Sequence, residues 1–203
     1  MPRSVDFIFD FGSPNAYLSH KVLPQIAART GATVNLIPCL LGGIFKLSNN
    51  QSPMAAFASV KGKMEYENLE TRRFIERHGL SKFSLNPHFP VNTLQIMRGL
   101  VAARFAGVGD VYLEAVLVAM WETGQKMDDP GVIVTVLNAA GLDGNALMAA
   151  TQDAEVKAVL MQNTGAAVAR GAFGIPTFFV GNEMFFGKDR LWQVEEALAG
   201  LPA

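Results

Sequence analysis

The sequence predicts an α/β fold in which a small α/β domain, formed by both ends of the chain, is interrupted by a large all-helical insertion. Strand patterns occur only towards the two ends, whereas residues 57–170 carry apolar residues at helical spacing and no clear strand. Such a fold packs helices against a sheet around one core. We therefore predict that residues 1–45 and 170–203 form the α/β domain and that residues 46–169 form the insertion.

The N-terminal part of the chain predicts a strand, a helix and a second strand. Residues 5–10 are apolar and aromatic, as in a buried strand. Ser13 as N-cap and Pro14 in the first helical position begin a helix that Gly31 ends. Residues 32–41 are a second apolar strand pattern. This order predicts a parallel pair of strands joined by a right-handed crossover.

The middle of the chain predicts one loop and then a series of helices. Residues 41–53 are rich in Gly, Asn and Ser, which indicates a loop. Asp129 precedes Pro130, so the acidic pair of Asp128 and Asp129 is most simply a helix cap. Helical patterns cover residues 61–79, 92–107, 109–125, 128–141, 143–153 and 154–171.

Strand signals return near the C-terminus. Residues 174–187 predict two short strands joined at Gly181 and Asn182, a dipeptide that suits a hairpin turn. Residues 188–200 predict the last helix.

Composition narrows the classes of function. The 203 residues have a formal net charge of -1 and no stripe of Lys or Arg, so we expect neither a nucleic acid nor an anionic membrane as partner. No apolar run reaches the roughly 18 residues that a membrane span needs. The first residues lack the pattern of a secretory signal, so we expect a cytoplasmic protein. A mean hydropathy of +0.22 favours an oligomer.

Cysteine and histidine usage argues against redox and metal centres. Cys39 is the single cysteine of the sequence, so an intrachain disulfide and a CxxC motif are both excluded. Its apolar neighbours favour a small buried hydrophobic residue. His20, His78 and His88 are scattered and have no ligand-like spacing, so we expect no metal.

Four segments of the chain together resemble a known family. They are FDFGSPNAYL, LLGGIFKLSNNQSP, FPVNTL and GAFGIPTFFVGNEMFFGKDRL. In this order they resemble the thioredoxin-like 2-hydroxychromene-2-carboxylate isomerases and the related kappa-class glutathione transferases, over essentially the whole chain. The resemblance implies a thioredoxin-like domain, glutathione as cofactor, a small aromatic substrate and a homodimer.

The resemblance gives Ser13 a role that its local sequence does not. Taken alone, a Ser before Pro is usually a helix cap, and the chain has no G-x-S-x-G elbow to suggest a serine hydrolase. Redox members carry CxxC where this chain has Ser13-Pro14-Asn15-Ala16, so dithiol exchange is excluded. A helix N-terminus can instead hold an anion and lower a thiol pKa. Ser13 would then donate a hydrogen bond to the glutathione thiolate, which is the nucleophile.

The resemblance also implies the residues that bind the rest of glutathione. Pro176 would be cis, and Ile175 would offer its backbone N–H and C=O to the cofactor. A plain edge or turn proline is the alternative for Pro176. Asp189 could bind the ammonium of the γ-glutamyl end or only cap a helix. The implied γ-glutamyl segment consists of Phe186, Gly187, Lys188 and Asp189.

Three further polar residues match pocket positions of the family. Lys46 could meet a substrate carboxylate or be an ordinary solvated charge. Asn50 could bind glutathione and substrate or form a turn. Asn92 could bind substrate or cap the next helix.

Three functions remain open from the sequence. The first is a glutathione-dependent isomerase of the 2-hydroxychromene-2-carboxylate type. The second is a kappa-like transferase that conjugates an electrophile, because the same thiolate serves both reactions. The third is a non-catalytic thioredoxin-like module that binds thiols or peptides.

Overall fold

A computed structural model describes residues 3–200 and contains a four-stranded sheet. Its strands are β1 (Ser4–Phe9), β2 (Thr33–Pro38), β3 (Thr177–Val180) and β4 (Glu183–Phe186), in the order β2-β1-β3-β4. β1 pairs in parallel with β2 and antiparallel with β3, which pairs antiparallel with β4. The first and last parts of the chain therefore share one sheet, as predicted.

The predicted strand, helix and strand at the N-terminus are confirmed. Helix α1 spans Pro14–Thr30 and connects β1 to β2. Ser13 is its N-cap, and Gly31 ends it with a φ of 66°, in the left-handed region that favours glycine. The predicted hairpin is also confirmed, because Gly181 and Asn182 lie between β3 and β4.

Helices occupy the chain between β2 and β3. No strand lies between residues 57 and 170, as the sequence predicts, and all of this stretch is among the residues that the structure describes. The helices are α2 (Leu41–Leu47), α3 (Pro53–Ala56), α4 (Lys63–His78), α5 (Leu94–Phe105), α6 (Gly109–Trp121), α7 (Pro130–Ala139), α8 (Gly144–Ala150) and α9 (Ala154–Ala169), and α10 (Leu191–Gly200) follows the sheet.

The prediction of a loop over residues 41–53 is wrong. This segment contains all of α2 and the start of α3. Ile44 is fully buried, and Ser52 caps α3 by accepting a hydrogen bond from Ala55. The glycine that suggested a loop serves packing instead, because a Cβ on Gly43 would lie 3.0 Å from a methyl group of α9.

The sheet and the helices share one apolar core. The rings of Phe7 in β1 and Phe178 in β3 stack with 5.1 Å between their centroids. Trp121 at the end of α6 is fully buried, and its indole N–H donates to the carbonyl oxygen of Phe11 at 2.9 Å. This bond anchors the chain two residues before Ser13 to a helix of the predicted insertion. The division into two domains stays a prediction, and its boundary after residue 45 falls within α2.

Among residues 3–200, no helix combines the length and the apolar character that crossing a membrane requires.

Candidate active site

The N-terminus of α1 lies at the buried end of β1. Ser13 is 4% exposed, and its hydroxyl oxygen accepts a hydrogen bond from the Ala16 amide at 3.2 Å. The first turn of α1 contains no acidic residue. The positive end of this 17-residue helix is therefore not neutralised by its own side chains, which suits an anion.

The same serine contacts the second motif, which is 162 residues away in the sequence. Its hydroxyl donates to the carbonyl oxygen of Ile175 at 2.9 Å, and this bond is buried. The peptide between Ile175 and Pro176 is cis, as the resemblance implies. Ser13, Ile175 and Pro176 thus meet in one corner of the molecule.

Asp10 is a site residue that the sequence interpretation missed. It is fully buried, and its two carboxyl oxygens accept hydrogen bonds from the amides of Gly12 at 2.8 Å and Leu41 at 2.7 Å. The Thr93 side chain lies beside it and favours the charged form of the carboxyl group. Burial raises the pKa of Asp10, and these hydrogen bonds oppose that rise. An acidic residue at the end of an apolar strand was the available signal.

Cys39 is also close to this corner and is unsuited to redox chemistry. The residue is fully buried, which confirms the prediction of a small buried hydrophobic residue. Burial, and then the charge of Asp10, raises the pKa of its thiol to about 12. Cys39 therefore stays a thiol at neutral pH.

The segment after β4 packs against the loop that contains Pro176. The Gly187 amide donates to the carbonyl oxygen of Pro176 at 2.9 Å, and Gly187 has a φ of 92°. The ring of Phe186 lies against that of Phe173, with 4.5 Å between centroids. A Cβ on Gly174 would lie 2.8 Å from the Phe186 ring, so a larger residue at this position would displace that ring.

Lys188 and Asp189 form an ion pair at one edge of this segment. Lys188 is 2% exposed, and its Nζ lies 3.0 Å from Oδ1 of Asp189 and 5.5 Å from the ring centroid of Phe74 in α4. The Asp189 side chain is 53% exposed. The short helical turn Lys188–Arg190 therefore buries the lysine and presents the carboxylate to solvent.

Asp189 faces a groove that the sequence interpretation did not include. The groove has a volume of about 370 Å³ and carries side chains of both charges. Its walls are formed by Glu70, Arg73, Phe74, Glu76 and Arg77 of α4, together with Asp189. Side chains of both signs suit a ligand that carries an ammonium and a carboxylate.

Asn50 and Lys46 lie on the α2 side of this region. The amide of Asn50 donates to the carbonyl oxygen of Phe173 at 2.8 Å, and its side-chain oxygen accepts from the Gln51 amide. Asn50 therefore ties the segment after α2 to the segment that leads into Ile175. Lys46 is exposed and has no hydrogen bond or ion pair with any residue that the structure describes.

Asn92 is placed differently from the other predicted residues. Its side-chain oxygen accepts a hydrogen bond from the Leu94 amide at 3.1 Å, which matches the capping alternative. It faces a second groove of about 380 Å³, which Arg98 and Asp128 also line. Asp129 accepts hydrogen bonds from two amides at the start of α7, which confirms its role as a cap.

Comparison with known proteins finds a family and relatives that match almost the whole chain. The family model of the DSBA-like thioredoxin domain matches residues 4–199. A 2-hydroxychromene-2-carboxylate isomerase of Pseudomonas putida is 28% identical over 97% of this chain and 95% of its own. The kappa 1 glutathione S-transferase of Homo sapiens is 26% identical over 94% of this chain and 88% of its own.

The fold comparison leads to the same group of proteins. A solved structure of 2-hydroxychromene-2-carboxylate isomerase superposes with a TM-score of 0.80 and 27% identity, over 96% of this chain and 94% of the other. These likenesses confirm the predicted α/β fold of thioredoxin type and the resemblance to the isomerases and kappa-class transferases. The chain belongs to the family of DSBA-like thioredoxin domains.

Proposed function

We propose that the protein is a glutathione-dependent isomerase of the 2-hydroxychromene-2-carboxylate type. The observation that carries the proposal is the buried hydrogen bond from Ser13 to Ile175, because it joins the two elements that would hold the sulfur and the backbone of glutathione. The relatives named as isomerases and as glutathione transferases support an enzyme of this group.

The residues present fit glutathione at this corner. The α1 N-terminus offers partial positive charge, and Ser13 offers a hydroxyl next to it. When the hydroxyl turns to a thiolate, it releases the carbonyl oxygen of Ile175, which can then accept an amide N–H of the cofactor. Ser13 and Ile175 thus satisfy each other through one hydrogen bond, and each can offer its group to glutathione.

The γ-glutamyl end fits the groove between Asp189 and α4. Asp189 is half-exposed and held by the buried Lys188, so it can accept the ammonium group. Glu70 lines the same groove and adds a second acceptor, while Arg73 and Arg77 can meet the carboxylate. The backbone of Phe186 and Gly187 connects this groove to the loop of Pro176.

When bound, glutathione supplies a thiolate that adds reversibly to an unsaturated aromatic substrate, so that a bond can rotate before the sulfur leaves. Ser13 would stabilise the sulfur as a thiolate before it adds to the substrate and again when it leaves. We propose that Lys46 meets the substrate carboxylate, because it is exposed and has no partner among the described residues. Asn50 and Asn92 are the other polar side chains proposed to face substrate. In a kappa-like transferase the same residues would act, and the thioether would remain.

The proposed partners follow from the resemblance. We propose a small aromatic substrate, a cytoplasmic location and a homodimer. The exposed apolar side chains of Met184, Phe186 and Trp192, near the β4 edge, support self-association. Sedimentation at several protein concentrations would test the dimer.

The proposed function is tested by the ionisation of bound glutathione. We expect calorimetry to detect glutathione binding and thiolate absorbance to give a thiol pKa well below the ordinary value of about 8.5. Ser13→Ala should raise that pKa. Ser52→Ala should leave it unchanged, because Ser52 caps a different helix.

Two results would contradict the proposal. No binding at millimolar glutathione would favour the non-catalytic module. Equal thiolate absorbance in wild type and Ser13→Ala at neutral pH would exclude Ser13 as the stabilising donor. Product analysis separates the two enzymes, since an isomerase returns free glutathione and a transferase consumes it.

A further inference from the structure

Three helix starts converge on one buried carboxyl group. Asp10 accepts the amide of Gly12, which immediately precedes the N-cap of α1. It accepts the amide of Leu41, the first residue of α2. The side chain of Thr93, the N-cap of α5, lies beside the same carboxyl group and favours its charged form.

Of the two later helices, α2 depends on Asp10 because it lacks a cap of its own. The start of α5 has an acceptor in Asn92, whose side-chain oxygen accepts from the Leu94 amide. The N-cap of α2 is Leu40, which has no side-chain acceptor. Exposed N–H groups at a helix start need an acceptor, and a negative group there is favourable. Asp10 supplies that acceptor from a different part of the chain.

The converging segments are those that carry the proposed site. The first holds Ser13, the second leads to Lys46 and Asn50 through α2, and the third follows Asn92. Gly12 and Thr93 are packed closely, since a Cβ on Gly12 would lie 3.2 Å from Cγ2 of Thr93. A shift of any one of these segments would therefore displace the loop that contains Ser13.

We propose that Asp10 is the positioning residue of this site, and that it sets the place of the Ser13 hydroxyl through the Gly12 amide. This inference rests on the proposed function for its meaning in catalysis. The convergence of three segments on Asp10 can be tested without any ligand. Asp10 touches neither the proposed cofactor nor the substrate, so it acts through Ser13.

Asp10→Asn is the informative variant because both oxygens of Asp10 already accept a backbone N–H. The amide NH₂ must face either Gly12 or Leu41, where it places a donor against a donor. Asp6→Asn is the matched control. Asp6 lies in β1, the strand that leads to Asp10, but its carboxylate pairs with Arg170 at a partly exposed site.

The direction of one titration decides the proposal. Removing a buried negative charge can only lower the pKa of a nearby thiol or leave it unchanged. Displacement of the Ser13 hydroxyl away from the sulfur raises the pKa of that thiol. We expect the midpoint of the bound-glutathione thiolate titration to rise by about one pH unit in Asp10→Asn and not to change in Asp6→Asn. A fall, or no change, in Asp10→Asn would overturn the proposal.

A second pair of variants covers the case in which Asp10→Asn does not fold. Thr93→Val removes the hydroxyl beside Asp10 with little change of shape, and Thr93→Ser keeps that hydroxyl. We expect a rise of the same titration midpoint in Thr93→Val and rescue in Thr93→Ser. Equal midpoints in these two variants would count against Asp10.

Hydrogen exchange separates this inference from the proposed function. If the wild-type protein binds no glutathione thiolate, the proposed function fails. Hydrogen exchange of the ligand-free protein then tests by itself whether Asp10 joins the three segments. We expect Asp10→Asn to accelerate exchange together in peptides covering residues 10–18, 38–48 and 89–98, and Asp6→Asn to leave all three unchanged. Acceleration in the first peptide alone would show that Asp10 does not join the three segments.

Discussion

Ser13 and Ser52 each precede a proline, and each caps a helix. The hydroxyl oxygen accepts an amide hydrogen at 3.2 Å in the first case and 3.3 Å in the second. Ser13 is buried, begins a 17-residue helix and donates to Ile175. Ser52 begins a four-residue helix with no buried residue. The local sequence sets the cap in both places, whereas the tertiary contacts make only one of them a candidate site.

The largest expected difference between the two serines is in turnover. Ser13→Ala should lower turnover by about 10²-fold, the scale for the loss of one preorganised donor. Ser52→Ala should leave turnover unchanged. Steady-state kinetics with glutathione and an aromatic substrate would measure both. Equal losses in the two variants would mean that helix capping, and not sulfur binding, explains the effect.

The second difference is in stability. Ser13→Ala leaves the Ile175 carbonyl group without its donor in a buried place and removes a cap, so we expect a loss of about 2 kcal/mol in the free energy of unfolding. Ser52→Ala should lose about 0.5 kcal/mol or less, because α3 is short and exposed. Urea denaturation monitored by circular dichroism would compare them. The same loss for both would show that the bond to Ile175 adds nothing.

A third test concerns the loop that Ser13 contacts. Gly174→Ala should displace the Phe186 ring, since the new Cβ would lie 2.8 Å from it, and should weaken glutathione binding about tenfold. Gly42→Ala is the control because its Cβ would meet nothing within 4 Å. Calorimetric titration would measure the affinities. Unchanged affinity in Gly174→Ala would show that this loop tolerates movement.

The smallest expected effect concerns Cys39, the single cysteine of the sequence. Burial raises the pKa of Cys39 to about 12, above the value of about 9 for a free thiol, so at pH 8 the native protein holds almost no thiolate there. Iodoacetamide should react with Cys39 only after unfolding, and Cys39→Ser should not change turnover. Mass spectrometry of the alkylated protein would show the first result. Loss of turnover in Cys39→Ser would contradict this prediction and show that the buried thiol takes part in the reaction.

The sequence predicted the parts of the fold that local rules determine. The cap at Ser13, the end of α1 at Gly31 and the hairpin at Gly181 follow from residue types at short spacing. The segment of residues 41–53 was predicted wrongly because Gly43 serves close packing with Thr164 in α9, which no local pattern reveals.

The candidate site was only partly accessible from the sequence. The resemblance supplied Ser13, Ile175 and Pro176 as neighbours, and the structure brings them together. It did not supply the contacts of Asp10, because Leu41 and Thr93 meet it only after the chain has folded. The charged groove of α4 was missed for a similar reason, since a solvated helix face has the same pattern.

The bond between Ser13 and Ile175 has a consequence for ligand selectivity. A ligand that takes the Ser13 hydroxyl removes the one donor that the buried carbonyl oxygen of Ile175 has among the described residues, and an unmatched carbonyl costs about 1–3 kcal/mol. A small thiol without an O–H or N–H group, such as ethanethiol, or a simple anion, offers no donor to that carbonyl oxygen. A thiol that also carries a peptide N–H can donate that N–H to the carbonyl oxygen of Ile175 and replace the lost hydrogen bond. We therefore expect the hydrogen bond between Ser13 and Ile175 to favour the binding of thiols that carry a peptide N–H over thiols that lack one.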